Sequence, residues 1–182
     1  MTIKINQKAN IFEEVINKTY TLNADGQDHT LKEVKEEKDL GIWIDSELDF
    51  DKHINAKIQT ANNMLGLIRR SYKSLDQDTF LPLYKTMVRS HFDYGTSVWN
   101  PSLRKHIEAI ENVQRRATKM IPGLHSLEYE DRLRKLKLPT LVYRRLRGDM
   151  IETFKVLNGI YDNSVTNEMF QLRDKRTNRV GL

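Results

Sequence analysis

The strongest constraint on this chain is a change of apolar period near residue 49. Downstream of it, Ile54, Ile58, Ala61, Leu65, Ile68 and Tyr72 recur at intervals of 4, 3, 4, 3 and 4 residues. That rhythm lines one side of an α-helix. Asp49 or Asp51 can cap its orphan N–H groups. A second helix is expected over about Gln77–Phe92, capped by Asp76, with Phe80, Leu83, Tyr84, Met87 and Val88 inward; Pro82 is tolerated only near its first turn. A third, over about Leu103–Ile121, buries Leu103, Ile107, Ile110, Val113, Ala117, Met120 and Ile121, and Pro122-Gly123 stops it. A short fourth follows Ser126 and ends before Pro139. Thr140 caps a fifth over about Leu141–Asn158, with Tyr143, Leu146, Met150, Phe154 and Leu157 inward and Gly159 as the stop.

Upstream of residue 49 the signals favour strands. Thr19 to Leu22 is β-branched and aromatic, Asp25-Gly26 is a turn dipeptide, and His29 to Val34 can return as the partner strand. Leu40 to Ile44 reads as a third strand. The expected fold is therefore mainly α: a helical bundle preceded by a small antiparallel β-hairpin or three-strand element. The divisions are a β-rich piece over 1–48, a helical domain over 49–159 and a flexible basic tail over 160–182.

Charge follows the same division. Met1 to Asp51 holds six lysines against twelve acidic residues, whereas Arg104 to Arg147 holds twelve basic residues against five acids. One end is suited to an anion and the other is not. There is no cysteine, which removes disulfides, thiolate metal sites and cysteine nucleophiles. No apolar run approaches the ~18 residues needed to span a bilayer, and the first residues carry no apolar h-region. An intracellular location, cytoplasmic or nuclear, is expected.

Several cations are candidate contacts to phosphate. In the third helix Arg115 and Lys119 point away from the apolar side, with Lys105 and Arg116 near them. Arg69, Arg70 and Lys73 close the first helix, where they can also offset its C-terminal dipole. Arg144 and Arg145 are expected to leave the fifth helix outward. Arg147 falls beside the apolar stripe, which predicts partial burial against a carboxylate. Such cations are either a solvated basic face or a surface that tracks a phosphate backbone. The five histidines are scattered without metal-ligand spacing and suit packing or capping. Arg147-Gly148-Asp149 matches an integrin tripeptide by chance in mid-helix. Trp43 and Trp99 stand in apolar surroundings that favour packing over base stacking.

An ordered set of short passages resembles one family. Glu37-Lys38-Asp39-Leu40-Gly41-Ile42-Trp43-Ile44-Asp45 is followed by Phe50-Asp51-Lys52-His53-Ile54, Leu83-Tyr84-Lys85 and Val88-Arg89-Ser90-His91-Phe92-Asp93-Tyr94. Then come Val98-Trp99-Asn100-Pro101, Val113-Gln114-Arg115-Arg116-Ala117-Thr118-Lys119, Ile121-Pro122-Gly123-Leu124, Tyr129-Glu130-Asp131-Arg132-Leu133, Leu138-Pro139-Thr140-Leu141 and Arg144-Arg145-Leu146-Arg147-Gly148-Asp149-Met150-Ile151. In this order, over about residues 20–159, they resemble the region after the catalytic core of jockey- and CR1-like non-LTR retrotransposon reverse transcriptases. Asp39 departs from the aromatic common before Leu-Gly, and Val142-Tyr143 from a pair that is usually acidic.

The resemblance implies that residues 20–45 correspond to the palm's last strands and 49–159 to the thumb. It implies a fragment of an RNA-directed DNA polymerase of a mobile element that grips an RNA–DNA hybrid or duplex by its backbone. The missing palm and fingers would be a further partner. Polymerisation needs two metal ions held by carboxylates, and the family's aspartate pair is absent, since no Asp-Asp dipeptide occurs anywhere. No catalytic residue, metal or cofactor is therefore expected in this chain alone. Two rival readings remain open. One is a domesticated helical module that binds a protein through its acidic N-terminal part and an apolar groove. The other is a metal-dependent enzyme, which requires carboxylates that converge in space.

Overall fold

The period change marks the passage from strand to helix. The computed structural model describes residues 20–24, 27–72, 75–162 and 166. It is mainly helical, with two small antiparallel two-stranded sheets before the helices. The chain divides into two compact units, Met1–Glu37 and Lys38–Leu182. In the first, β1 (Thr21–Ala24) pairs with β2 (Gln27–Thr30), Thr21 opposite Thr30 and Ala24 opposite Gln27. The intervening Asp25-Gly26 lies outside the described residues, as do most residues of the proposed tail.

The second sheet joins β3 (Glu36–Asp39) to β4 (Ile42–Asp45). The strand expected over Leu40–Ile44 thus begins two residues late. Leu40 and Gly41 adopt φ of 45° and 83° and form the turn, since a tight hairpin favours positive φ at both central residues. Leu40 is left 80% exposed.

Helix α1 (Asp51–Ser71) carries the first apolar stripe, and Ile54, Ala61, Leu65 and Ile68 are buried. Neither Asp49 nor Asp51 caps it. Phe50 holds the N-cap position in a left-handed conformation without a side-chain bond. Asp45 instead accepts hydrogen bonds from the backbone N–H of Glu47, Asp49 and Phe50 at 3.1, 3.0 and 2.8 Å, which orders the approach to the helix. These bonds, that from Asp49 foremost, lower the Asp45 pKa. Asp51 is engaged instead by Lys105 and His106.

Asp76 caps α2 (Gln77–Leu83) as expected, accepting from the Thr79 N–H at 2.7 Å. Pro82 is not in the first turn. It cannot donate to the carbonyl four residues back, and the helix widens directly after it into a π-helical segment, Tyr84–Arg89, before α3 (Ser90–Asp93). Phe80, Tyr84, Val88 and Phe92 all stay buried. Next come α4 (Thr96–Trp99), α5 (Arg104–Lys119), α6 (Tyr129–Leu136) and α7 (Leu141–Leu157). Leu103, expected inside, precedes α5 and is 43% exposed. Helix α6 begins after Glu128 rather than Ser126. No described helix is long and apolar enough to cross a membrane.

Helix α1 packs on the π-helical segment and on α5, while α7 packs on α4 and α5. Core side chains come from α1, α2, the π-helical segment, α3, α5 and α6, closed by Ile42, Trp99, Leu138 and Leu141. One element breaks the expected pattern. The stripe Tyr143, Leu146, Met150, Phe154 and Leu157 faces outward. The cause lies at the start of α7. The buried Glu111 carboxylate of α5 accepts the backbone N–H groups of Leu141 and Val142, which turns Leu141 and Arg145 inward.

Candidate functional site

Two of the candidate cation clusters meet. The C-terminal halves of α1 and α5 lie side by side and leave a groove of about 770 Å³, lined by Asn62, Leu65, Gly66, Arg69, Tyr72, Leu75, Arg116, Lys119, Met120 and Pro122. A second groove of about 560 Å³ continues along α5, lined by Ile58, Ala109, Asn112, Arg115, Arg116 and Lys119. Arg116 and Lys119 belong to both. Neither lining contains a carboxylate. The helical spacing explains the convergence: Arg69 follows the buried Ile68, and Arg116 precedes the buried Ala117, so each sits at the edge of the shared seam.

Arg69, Arg70, Arg115, Arg116 and Lys119 are all exposed. Among the described residues none of them is ion-paired. Arg115 donates to the Asn112 side chain at 3.4 Å and stands 5.0 Å from the Tyr129 ring centre. Arg70 does not line either groove, but its guanidinium stands 4.0 Å from where a Cβ on the groove residue Gly66 would be. Lys73 lies outside the described residues.

Both helices end at this groove, so their carbonyl ends also face it. Each C-terminus carries about −0.5 of a charge. Two such ends leave most of the charge of Arg69, Arg70, Arg116 and Lys119 uncompensated. Dipole complementation alone does not account for the cluster.

The cations of α7 behave differently. Arg144 is half-buried and holds Asp93 with two bonds, at 3.2 and 2.9 Å; Arg89 approaches the same carboxylate at 3.3 Å. Arg145 does not project outward: it is 4% exposed and donates to the Asn100 side chain at 3.2 Å. Burial pushes its pKa down, and the charges of Glu111 and Asp149 pull it back up. Arg147, expected to be partly buried and paired, is exposed. Rotation of the helix has exchanged the two arginines.

A buried polar network underlies this arrangement, and the sequence reading missed it. The Tyr84 hydroxyl donates to Gln114 at 2.6 Å, and Gln114 donates to the Tyr129 hydroxyl and the Pro139 carbonyl, both at 3.0 Å. Tyr129 donates to Glu111, which holds the start of α7. Burial, followed by the Glu111 charge and hydrogen bond, raises the Tyr129 pKa, and Tyr84 is raised chiefly by burial. The network is a brace between helices. The signal was present in α5, where Ile107, Glu111, Gln114 and Thr118 share the 4, 3, 4 spacing of a core stripe.

His53 does not cap its helix. It is buried, accepts the Trp43 N–H at Nδ1 (3.3 Å) and meets the Trp99 ring at 5.1 Å. Burial, and next the nearby Lys57 and Lys38, bring its pKa down to about 4. Trp99 is buried and donates to the Tyr94 carbonyl at 2.8 Å. Trp43 is half-buried, with the Lys52 ammonium 3.5 Å from its ring centre. Both tryptophans are used in packing. Among the described residues no group of three or more histidines and acids is placed to hold a metal ion.

Comparison with known proteins gives a distant relationship. An uncharacterized protein of Caenorhabditis elegans is 23% identical over 126 residues, covering 68% of this chain and 64% of that protein. The chain thus spans less than two thirds of the relative's length. No family model and no solved structure matches the chain.

Proposed function

We propose that this chain binds the phosphate backbone of nucleic acid along the α1–α5 groove, as a thumb-like fragment of a non-LTR retrotransposon reverse transcriptase, and does not polymerise by itself. One observation carries the reading. Arg69 from one helix and Arg116 and Lys119 from another line a single groove, with no carboxylate in its walls and, among the described residues, no ion pair to hold them. Arg115 and Arg70 extend the same basic surface. The ordered sequence resemblance and the helical architecture support the assignment.

These cations reach from the sides of two packed helices that together wall the groove. The contact is therefore to phosphate and indifferent to sequence. About three phosphates engaged at once give a slope near −2.7 in log K against log salt and micromolar or weaker affinity at physiological salt. The test is fluorescence anisotropy on an RNA–DNA hybrid across a salt series, with Arg115, Arg116 and Lys119 together changed to glutamate. Binding should disappear while helicity is kept. Salt-insensitive binding, or unchanged affinity in the triple variant, overturns the proposal.

A second reading, a protein-interaction module, is favoured by the outward apolar stripe of α7. Its association would be insensitive to salt.

A further inference from the structure

Helix α7 faces its own domain with the wrong side for a simple amphipathic helix. At about 100° per residue, Tyr143, Leu146, Met150, Phe154 and Leu157 all lie within roughly 40° of one line through Met150. The buried residues Leu141 and Arg145 lie on the opposite side. The stripe residues are exposed by 59, 56, 73, 60 and 43%. Contiguous apolar surface of this kind marks an interaction site.

We propose that this stripe is the contact surface of a homodimer in which two copies of α7 lie antiparallel about a two-fold axis at Met150. The argument for a second copy is the spacing. The stripe runs 3, 4, 4, 3, which reads the same from either end. An antiparallel copy centred on Met150 sets Tyr143 against Leu157, Leu146 against Phe154 and Met150 against itself, with every apolar residue matched. A two-fold interface requires such self-complementarity, and an unrelated partner does not.

The area fits as well. At about 200 Å² for a large side chain, the exposed fractions of the five residues come to roughly 600 Å². Two copies would together bury about 1,200 Å², the lower end of the range for specific interfaces. The stripe contains no charged residue. The exposed Arg147 stands beside it as part of a polar rim.

Sedimentation equilibrium on the full chain tests this. The parent should move from monomer to dimer across micromolar concentrations, with little effect of salt. Met150→Arg should raise the dimer dissociation constant more than about a hundredfold, because it sets two like charges together at the axis. Its circular dichroism should match the parent, since Met150 is already exposed. The chain has no cysteine, so single engineered thiols report the register. With a short bifunctional maleimide, Met150→Cys should cross-link to itself. Leu146→Cys should not, yet it should cross-link to Phe154→Cys in a mixture. A parent that stays monomeric, a Met150→Arg variant that still dimerises, or Leu146→Cys joining itself as readily as Met150→Cys each overturns the proposal.

Discussion

The arginines of α7 and the cations of the α1–α5 groove begin as the same kind of residue and end in opposite roles. Arg144 and Arg145 are adjacent, basic and late in the bundle, much like Arg115 and Arg116. Yet Arg144 grips Asp93 with two bonds and Arg145 is buried against Asn100 near Glu111 and Asp149. Arg116 and Lys119 face a groove without an acid in its walls. The difference lies in the surroundings rather than in the cations. A carboxylate within reach turns an arginine into a brace. A wall of Leu65, Tyr72, Leu75 and Met120, with no acid, leaves its charge available to a ligand.

That contrast predicts a large structural effect on one side. Arg145→Ala removes the donor to the Asn100 side chain and a long side chain that packs in the interior. Truncating a large buried side chain costs about 2–5 kcal/mol, and chemical denaturation should show a loss of that order. A loss below about 1 kcal/mol would mean that Arg145 is not integral to the fold and would erase the contrast.

The next effect is smaller and comes from another buried polar group. His53 has a folded-state pKa of about 4 against an ordinary value of 6.5. A histidine held neutral contributes stability that is fully present above its unfolded pKa and is lost as pH falls from about 6.5 to about 4. His91 is shifted in the same direction, again mainly by burial. Stability should therefore fall by on the order of 2 kcal/mol over this window, most of it before the carboxylates titrate. His53→Gln should flatten the profile. An unchanged slope in that variant would place the acid sensitivity elsewhere.

The same contrast explains what could be read from the sequence. The apolar stripes of α1, of α2 with the π-helical segment after it, and of α5 were legible because nothing competes with them: Ile54, Leu65, Phe80, Val88, Ile110 and Val113 are buried where their spacing puts them. Helix α7 was misread because its orientation is set by polar bonds. Glu111 is buried in α5 and cannot remain without partners. The free N–H groups at the start of α7 supply them, and the rotation this imposes exposes Met150 and Phe154 and buries Arg145. Apolar periodicity says which side of a helix is greasy, not what that side meets. Phe154 therefore does not belong to the core to which its spacing assigned it. The β3–β4 hairpin was missed for a related reason: Glu36-Glu37-Lys38-Asp39 has no apolar residue to reveal a strand, and the turn falls on Leu40, which reads as strand. Of the candidate site, the residue types were legible, but which of them share a groove needed the packing of α1 on α5.

The smallest effect is the most specific to the groove. Lys119 is exposed, unpaired among the described residues and part of both grooves. Lys119→Gln keeps much of its length and removes its charge. Surface changes of this kind alter stability by no more than about 0.5 kcal/mol. The loss of one phosphate contact should make the slope of log K against log salt shallower by about 0.9. Arg104→Gln is the control: Arg104 is also on α5 and also exposed, but it is paired with Glu108 at 2.6 Å and lies at the other end of the helix. It should leave the slope unchanged. If both variants shift the slope equally, the chain attracts polyanions through its net charge alone. If neither does, the groove does not touch phosphate, and Lys119 is simply a solvated neighbour of a helix end. Only a shift confined to Lys119 separates the open groove from the paired cations elsewhere on the same helix.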